Sequence, residues 1–189
     1  MTPRIQALEA QIIDLKKQLS AARREVEPEV VRDYTLRTPA GEAVTLRSLF
    51  GDQRDLLVVH NMGQRCVYCT LWADGFIGLA PHLSDRAAFV LASPDKPAVL
   101  RAVAASRSWP FRCVSTHGTT FTRDLGYARL REATPGASDQ PSQPAREDYL
   151  PGVSAFRLMD DGVIVRTAHT TFGPGDDFCA LWPLIDLLH

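Results

Sequence analysis

The stretch DLLVVHNMGQRCVYCTLWADGF, residues 55 to 76, constrains this chain more than any other. It opens with Leu56-Leu57-Val58-Val59, an apolar run with the length and β-branched content of a buried strand. The run breaks at Gly63, presents Cys66-Val67-Tyr68-Cys69, and continues as a helix through Trp72. Cysteines three positions apart share one helical face and lie close enough to close a small disulfide ring. At the start of a helix, unpaired backbone N–H groups and the positive dipole end favour a thiolate over a thiol at Cys66. Arg65, directly before it, adds a charge of the right sign. In this pattern Cys66 attacks as the thiolate and Cys69 resolves the mixed disulfide. The plainer alternative is a pair of small buried hydrophobes, since free cysteine packs well.

The rest of the chain sets the setting for that chemistry. Its 189 residues suit one domain with an appendage. A formal net charge of −1 excludes the basic surface of a nucleic-acid binder. No apolar run approaches the roughly 18 residues of a membrane span, and the charged N-terminus lacks the apolar core of a signal peptide. Four cysteines, two of them adjacent in a C-x-x-C, do not make a secreted disulfide framework. The expected compartment is the cytoplasm, where such a pair is redox-active or metal-binding rather than structural. A zinc site ranks last: one C-x-x-C supplies two ligands, and His60, His117 and His169 show no compact second pair. No cofactor beyond the cysteines themselves is expected.

Read in order, residues 4 to 25 form an amphipathic helix. Ile5, Leu8, Ile12, Leu15, Leu19 and Ala22 recur at alternating spacings of three and four, an a/d seam with the charges off it. The seam is narrow, which favours an inter-subunit helix pair, and hence a homodimer, over packing on the chain's own domain. Pro28 ends the helix, so residues 1–28 are a helical extension and 29–189 the domain. Strands over 34–36 and 44–46 flank the turn at Pro39-Ala40-Gly41 as a hairpin, and Leu46 to Phe50 is one helical turn. The cysteine helix extends through 76–83 with a kink near Gly75 or Pro81. Residues 87–92 and 111–115 are strands, and Pro97 to Ser106 is a helix with proline in its first turn. Residues 121–127 are ambiguous. Residues 132–148, with three prolines and almost nothing apolar, read as an exposed loop. Residues 154–159 and 163–167 form a hairpin about Asp160-Asp161-Gly162, and 176–188 a final helix interrupted by Pro183. Alternating strands and helices followed by a late hairpin imply an α/β, three-layer fold with a mixed central sheet.

From about Tyr34 to His189 the chain resembles the thioredoxin superfamily. The opening YTLRTPAGEAVTLRSLFGDQRDLLVVHNMGQRCVYCTLWADGF is similar to the alkyl-hydroperoxide-reductase and thiol-antioxidant branch. More narrowly, Cys66-x-x-Cys69-x-x-Trp72-Ala73-Asp74-Gly75-Phe76, the later Pro151-Gly152-Val153-Ser154 and the C-terminal helix resemble a bacterial thioredoxin-like family of unknown function, some of whose members are labelled predicted dithiol-disulfide oxidoreductases or isomerases. The resemblance implies a thioredoxin-like fold. It also implies a buried proton acceptor six residues before the first cysteine, where this chain has His60. Thioredoxins carry a cis-proline before their late strand; Val153 holds that place here and is expected to be trans, because a non-proline cis bond costs about 2.5–4 kcal/mol. Peroxide-reducing relatives place a hydroxyl residue three positions before the reactive cysteine, and Gly63 stands there instead.

Three functions of different classes follow. The first is a thiol–disulfide oxidoreductase acting on a protein or small-molecule thiol or disulfide, with Cys66, Cys69 and His60 as site residues. The second is a thiol peroxidase. The third is a non-catalytic dimeric binding or scaffold protein. Against a proton-shuttle role for His60 stands the plainer reading, since a histidine on a buried strand is more often a satisfied core residue. Trp72 is expected to plug the core and Asp74 to cap or pair near the helix. Cys113 and Cys179 are expected to be inert core cysteines, while Arg157 and His169 are candidates to line the same cleft.

Overall fold

The structure is a computed structural model that describes residues 2–132 and 146–188. Its centre is a sheet of eight strands in the order β1-β10-β9-β4-β5-β6-β2-β3. The strands are β1 (Glu29–Val31), β2 (Thr35–Arg37), β3 (Ala43–Thr45), β4 (Asp55–His60), β5 (Ala88–Ser93), β6 (Arg112–Ser115), β9 (Gly152–Leu158) and β10 (Ile164–Thr171). β4, β5 and β6 are parallel, as right-handed strand–helix–strand crossovers require. β9 runs antiparallel to β4, with His60 opposite Gly152 and Asp55 opposite Arg157. A second, two-stranded sheet pairs β7 (Ala128–Arg131) with β8 (Arg146–Tyr149).

Helices and turns cover both faces of the large sheet. On one face lie α2 (Val67–Gly75), α3 (Ala80–Ser84), α4 (Pro97–Ser106) and α6 (Leu181–Ile185). Here Val59 packs with Trp72, Phe76 and Phe172, and Leu91 with Ala73, Leu100 and Cys113. On the other face Leu56, Val58, Val90 and Phe156 pack against Leu49 and Phe50 of a 3-10 turn (Arg47–Phe50) and Phe121 and Leu125 around α5 (Phe121–Asp124). Each such large apolar side chain withdrawn from water contributes about 1.5–3 kcal/mol before the cost of ordering it. This is the α/β three-layer arrangement, with its mixed sheet, hairpin and helical extension, that the pattern implies.

The first helix, α1 (Pro3–Glu25), starts at Thr2, whose Oγ1 accepts the Ile5 N–H at 3.4 Å, and buries no residue. It reaches its own domain through Lys16, paired with Asp177 at 2.6 Å, and through Arg23 beside Phe178 and His169. Among the described residues no helix is long and apolar enough to cross a membrane.

Three local expectations change, and one strand is new. The cysteine helix does not run through to residue 83: it stops at Gly75, and α3 restarts at Ala80 with Pro81 in its first turn. Most of the expected loop lies outside the described residues, but 146–148 are strand, closed by the pairing of Arg131 with Arg146 and of Ala128 with Tyr149. β1 completes one sheet edge from a segment too short to carry a pattern. The final helix is only Leu181–Ile185, because the Asp176 carboxylate accepts the N–H groups of Gly173 and Phe178 and holds a turn there.

Candidate active site

The parallel strands β4 and β5 deliver the site at their C-terminal ends, where open α/β sheets place ligands. β4 is followed by Asn61, whose N–H still donates to Ala92 O of β5 at 2.9 Å. The chain then turns sharply. Asn61 Oδ1 accepts the Gly63 N–H at 2.7 Å, and Asn61 Nδ2 reaches Cys69 O of α2 at 3.4 Å. From the end of β5, Asp95 Oδ2 accepts the Gln64 N–H at 2.7 Å and the Ser93 hydroxyl at 2.9 Å. Gly63 has φ +98°, and a Cβ there would sit 3.0 Å from Asp95 Oδ1, so both backbone and space demand glycine. Asn61 and Asp95 thus clamp the loop that delivers Cys66.

Cys66 is the N-cap of α2: its sulfur accepts the Cys69 N–H at 3.2 Å, and its carbonyl accepts the Thr70 N–H and hydroxyl. This bond strengthens as charge develops on the sulfur. Cys66 is half-buried, whereas Cys69 is 3% exposed. The Cys69 sulfur accepts the Met62 N–H at 3.3 Å. Burial, then hydrogen bonding to Cys66, pushes the Cys69 thiol well above its ordinary range. The pair is therefore asymmetric, with one sulfur open at a helix start and one neutral thiol beneath it.

Cys66 opens onto a groove of about 690 Å³. Met62, Arg65 and Tyr68 form one wall; Arg131 of β7 and Arg146 and Tyr149 of β8 form another. Val67 and Tyr68, between the cysteines, are exposed at 79% and 55%. Tyr68 leans on Trp182, with ring centroids 5.9 Å apart. Trp72 is buried against Phe172 and directs its indole N–H towards Asp176. Asp74 receives both Arg107 and the Trp109 indole N–H, at 2.8 Å for the latter, which ties α2 to the end of α4. The Arg107 guanidinium holds the Asp74 carboxyl below the usual carboxylate range.

His60 is not brought to the cysteines. Strand alternation turns Val59 and Asn61 towards α2, and His60 with Val58 to the opposite layer. There its ring stacks on Tyr127, centroids 3.7 Å apart, and Nε2 lies 3.1 Å from Ser154 Oγ. Nδ1 has no partner among the described residues. Burial, with Arg166 and His169 adding repulsion, lowers its pKa to about 3, so the ring is neutral. Its partners are those of a core histidine. Arg157 also lies elsewhere, paired with Asp55 at the far end of β4, at 2.7 Å. His169 lines a small cavity of about 120 Å³ beneath α1, with Arg23 and Phe178.

Cys113 and Cys179 are buried in apolar clusters, and burial pushes the Cys113 thiol up to about 12. No peptide bond among the described residues is cis, Val153 included. No group of three His, Cys, Asp or Glu among them could hold a metal ion. Asn61, Asp95 and the β7–β8 wall escape a reading by motif. The rule that loops after parallel strands share one rim is the one signal that could have found Asp95, and nothing local marks β8.

The sequence profile of one family, described as "Bacterial protein of unknown function (DUF899)", matches residues 4–189. The chain belongs to this family. No curated protein matches it. Among solved structures it is similar to the peroxidoxin BcpB from Mycobacterium tuberculosis, at 20% identity and a TM-score of 0.52 over 72% of this chain and 80% of that one. Peroxiredoxin Q from Xanthomonas campestris is 16% identical, with a TM-score of 0.57 over 82% and 90%. Reduced Prx3 from Vibrio vulnificus, solved in complex with hydrogen peroxide, is 16% identical, with a TM-score of 0.56 over 86% and 99%. At these identities the likeness shows the fold, which is the thioredoxin-like fold that peroxiredoxins share.

Proposed function

We propose that this DUF899 protein is a thiol–disulfide oxidoreductase working through Cys66 and Cys69. The observation that carries the reading is the asymmetry of the pair, with Cys66 half-buried at the N-cap of α2 and Cys69 buried three residues on. The Cys66 thiolate attacks one sulfur of a substrate disulfide, and the first substrate thiolate leaves. Cys69 then loses its proton and attacks the Cys66 sulfur, expelling the second substrate thiolate. The protein is left with a Cys66–Cys69 disulfide, having given two electrons, and a dithiol reductant resets it. His60 has no proton-transfer part in this scheme. The reaction is assigned to the cytoplasm, where thiols are kept reduced.

A second reading, thiol peroxidase, draws support from the peroxiredoxin neighbours. In that reaction the Cys66 thiolate attacks one peroxide oxygen, the O–O bond breaks and alcohol or water leaves. The Cys69 thiol then condenses with the resulting sulfenic acid to give the disulfide and water. Gly63, which offers no hydroxyl to a peroxide, weighs against it.

Equilibration in glutathione buffers, read by mass-resolved alkylation, tests both. A two-electron transition between about −120 and −270 mV is expected of a working oxidoreductase. No Cys66–Cys69 disulfide at any poise refutes the proposal, and faster oxidation of Cys66 by hydrogen peroxide than by disulfides transfers it to the peroxidase.

A further inference from the structure

The helix α1 is out of place on a single chain. It is 23 residues long and buries none of them. Isolated helices in water gain little from propensity, and long helices in proteins are held by packing of an apolar face. The stripe Ile5, Leu8, Ile12, Leu15 and Leu19 is 45–61% exposed along its whole length. Its own domain meets the helix along one flank, where Lys16 pairs with Asp177 and Arg23 lies beside Phe178.

From this we infer that α1 is one strand of a parallel, in-register, two-stranded coiled coil formed with a second copy of the chain. Three observations select that occupant. First, the stripe has heptad spacing, with Ile5, Ile12 and Leu19 at a and Leu8, Leu15 and Ala22 at d. The first two heptads carry β-branched isoleucine at a and leucine at d, a combination that favours parallel two-stranded coils over larger bundles; the third, with Leu19 and Ala22, does not add to it. Second, the flanks are complementary in that arrangement. A g residue faces the e residue five positions on in the other strand, so Arg4 meets Glu9 of the second copy, twice by symmetry. The next two g positions, Gln11 and Gln18, face Lys16 and Arg23, and the last, Glu25, has no e partner within the helix, so no like charges meet. Third, Arg4 and Glu9 form no ion pair within the chain among the described residues, whereas Lys16 is paired with Asp177 of the domain and Arg23 lies beside its Phe178 and His169. The seam is left open while its flank is anchored. Ile13 alone among the large apolar residues of α1 falls off the stripe.

The test uses the full chain. Light scattering on an eluting sample should give twice the 20.9 kDa of one chain across the micromolar range. Replacing Ile12 and Leu15 with lysine should return it to one chain without altering its near-ultraviolet circular dichroism, since α1 buries nothing. Glu9→Arg should weaken the dimer by about tenfold, from two lost pairs and two repulsions, and Arg4→Glu combined with it should restore affinity. Leu8→Cys should cross-link to itself under oxidation, identified by peptide mass. A native chain that stays single overturns the inference. So does a dimer indifferent to the two lysines, or a Leu8→Cys that links only to Leu19→Cys, which marks an antiparallel pair.

Discussion

Two sulfurs three residues apart are not equivalent here. Cys66 caps a helix beside an open groove, and Cys69 donates its N–H to it while lying almost fully buried. Iodoacetamide at neutral pH should therefore label Cys66 first and leave Cys69 and Cys113 unlabelled in the folded, reduced protein, as peptide mass mapping will show. Cys69→Ser should accumulate a stable mixed disulfide on Cys66, and Cys66→Ser none. His60 makes a prediction of another kind. Its pKa in the folded protein is about 3, against about 6.5 when unfolded. Between these values the unfolded chain binds the extra proton, so stability is full above pH 6.5 and is lost as pH falls towards 3. The loss approaches about 1.4 kcal/mol per pH unit inside that window. His60→Gln should flatten that slope in urea titrations while leaving the pH profile of Cys66 alkylation unchanged. A shifted alkylation profile would return His60 to the thiol chemistry.

Between β4 and α2, geometry depends on a loop held from two sides. Gly63→Ala places a side chain at φ +98° and against Asp95, so it should cost at least about 1–2 kcal/mol in denaturant unfolding and slow Cys66 alkylation. Asp95→Ala leaves the Gln64 N–H and the Ser93 hydroxyl without their acceptor, and should lose about 1–3 kcal/mol along with thiol reactivity. Trp72→Ala removes the ring that joins α2 to Phe172 and Trp182, at a cost of about 3–5 kcal/mol. Much of this element was legible beforehand. The β-branched run, the glycine and the C-x-x-C mark strand, turn and helix by near-neighbour chemistry alone, and Pro97 marks the start of α4 to the residue. The clamp was not legible, because Asp95 lies 31 positions from the amide it accepts.

Across the whole molecule the sheet does the positioning. Pairing of β4 with β5 brings two loop ends to one rim, and pairing of β7 with β8 raises a wall opposite Cys66. α1 stands outside this assembly. On dilution its helical circular dichroism at 222 nm should fall while the near-ultraviolet signal of the domain holds, since the two do not share a core; loss of both signals together would mean that α1 belongs to the domain.

By itself the sequence determined what neighbouring residues decide: the strand–turn–helix around Cys66 and Cys69, the hairpin at Asp161-Gly162, the proline-led α4 and the heptad stripe of α1. These follow from side-chain periodicity, caps and turns, whose causes lie within a few residues. Tertiary structure alone decided which layer each face of β4 meets, and so sent His60 to Tyr127 and Ser154 rather than to the thiols. It also made 146–149 a strand and cut the last helix to five residues. The reason is common to all three. A strand's two faces, an edge's partner and a turn that outcompetes a helix depend on what the rest of the chain packs against them.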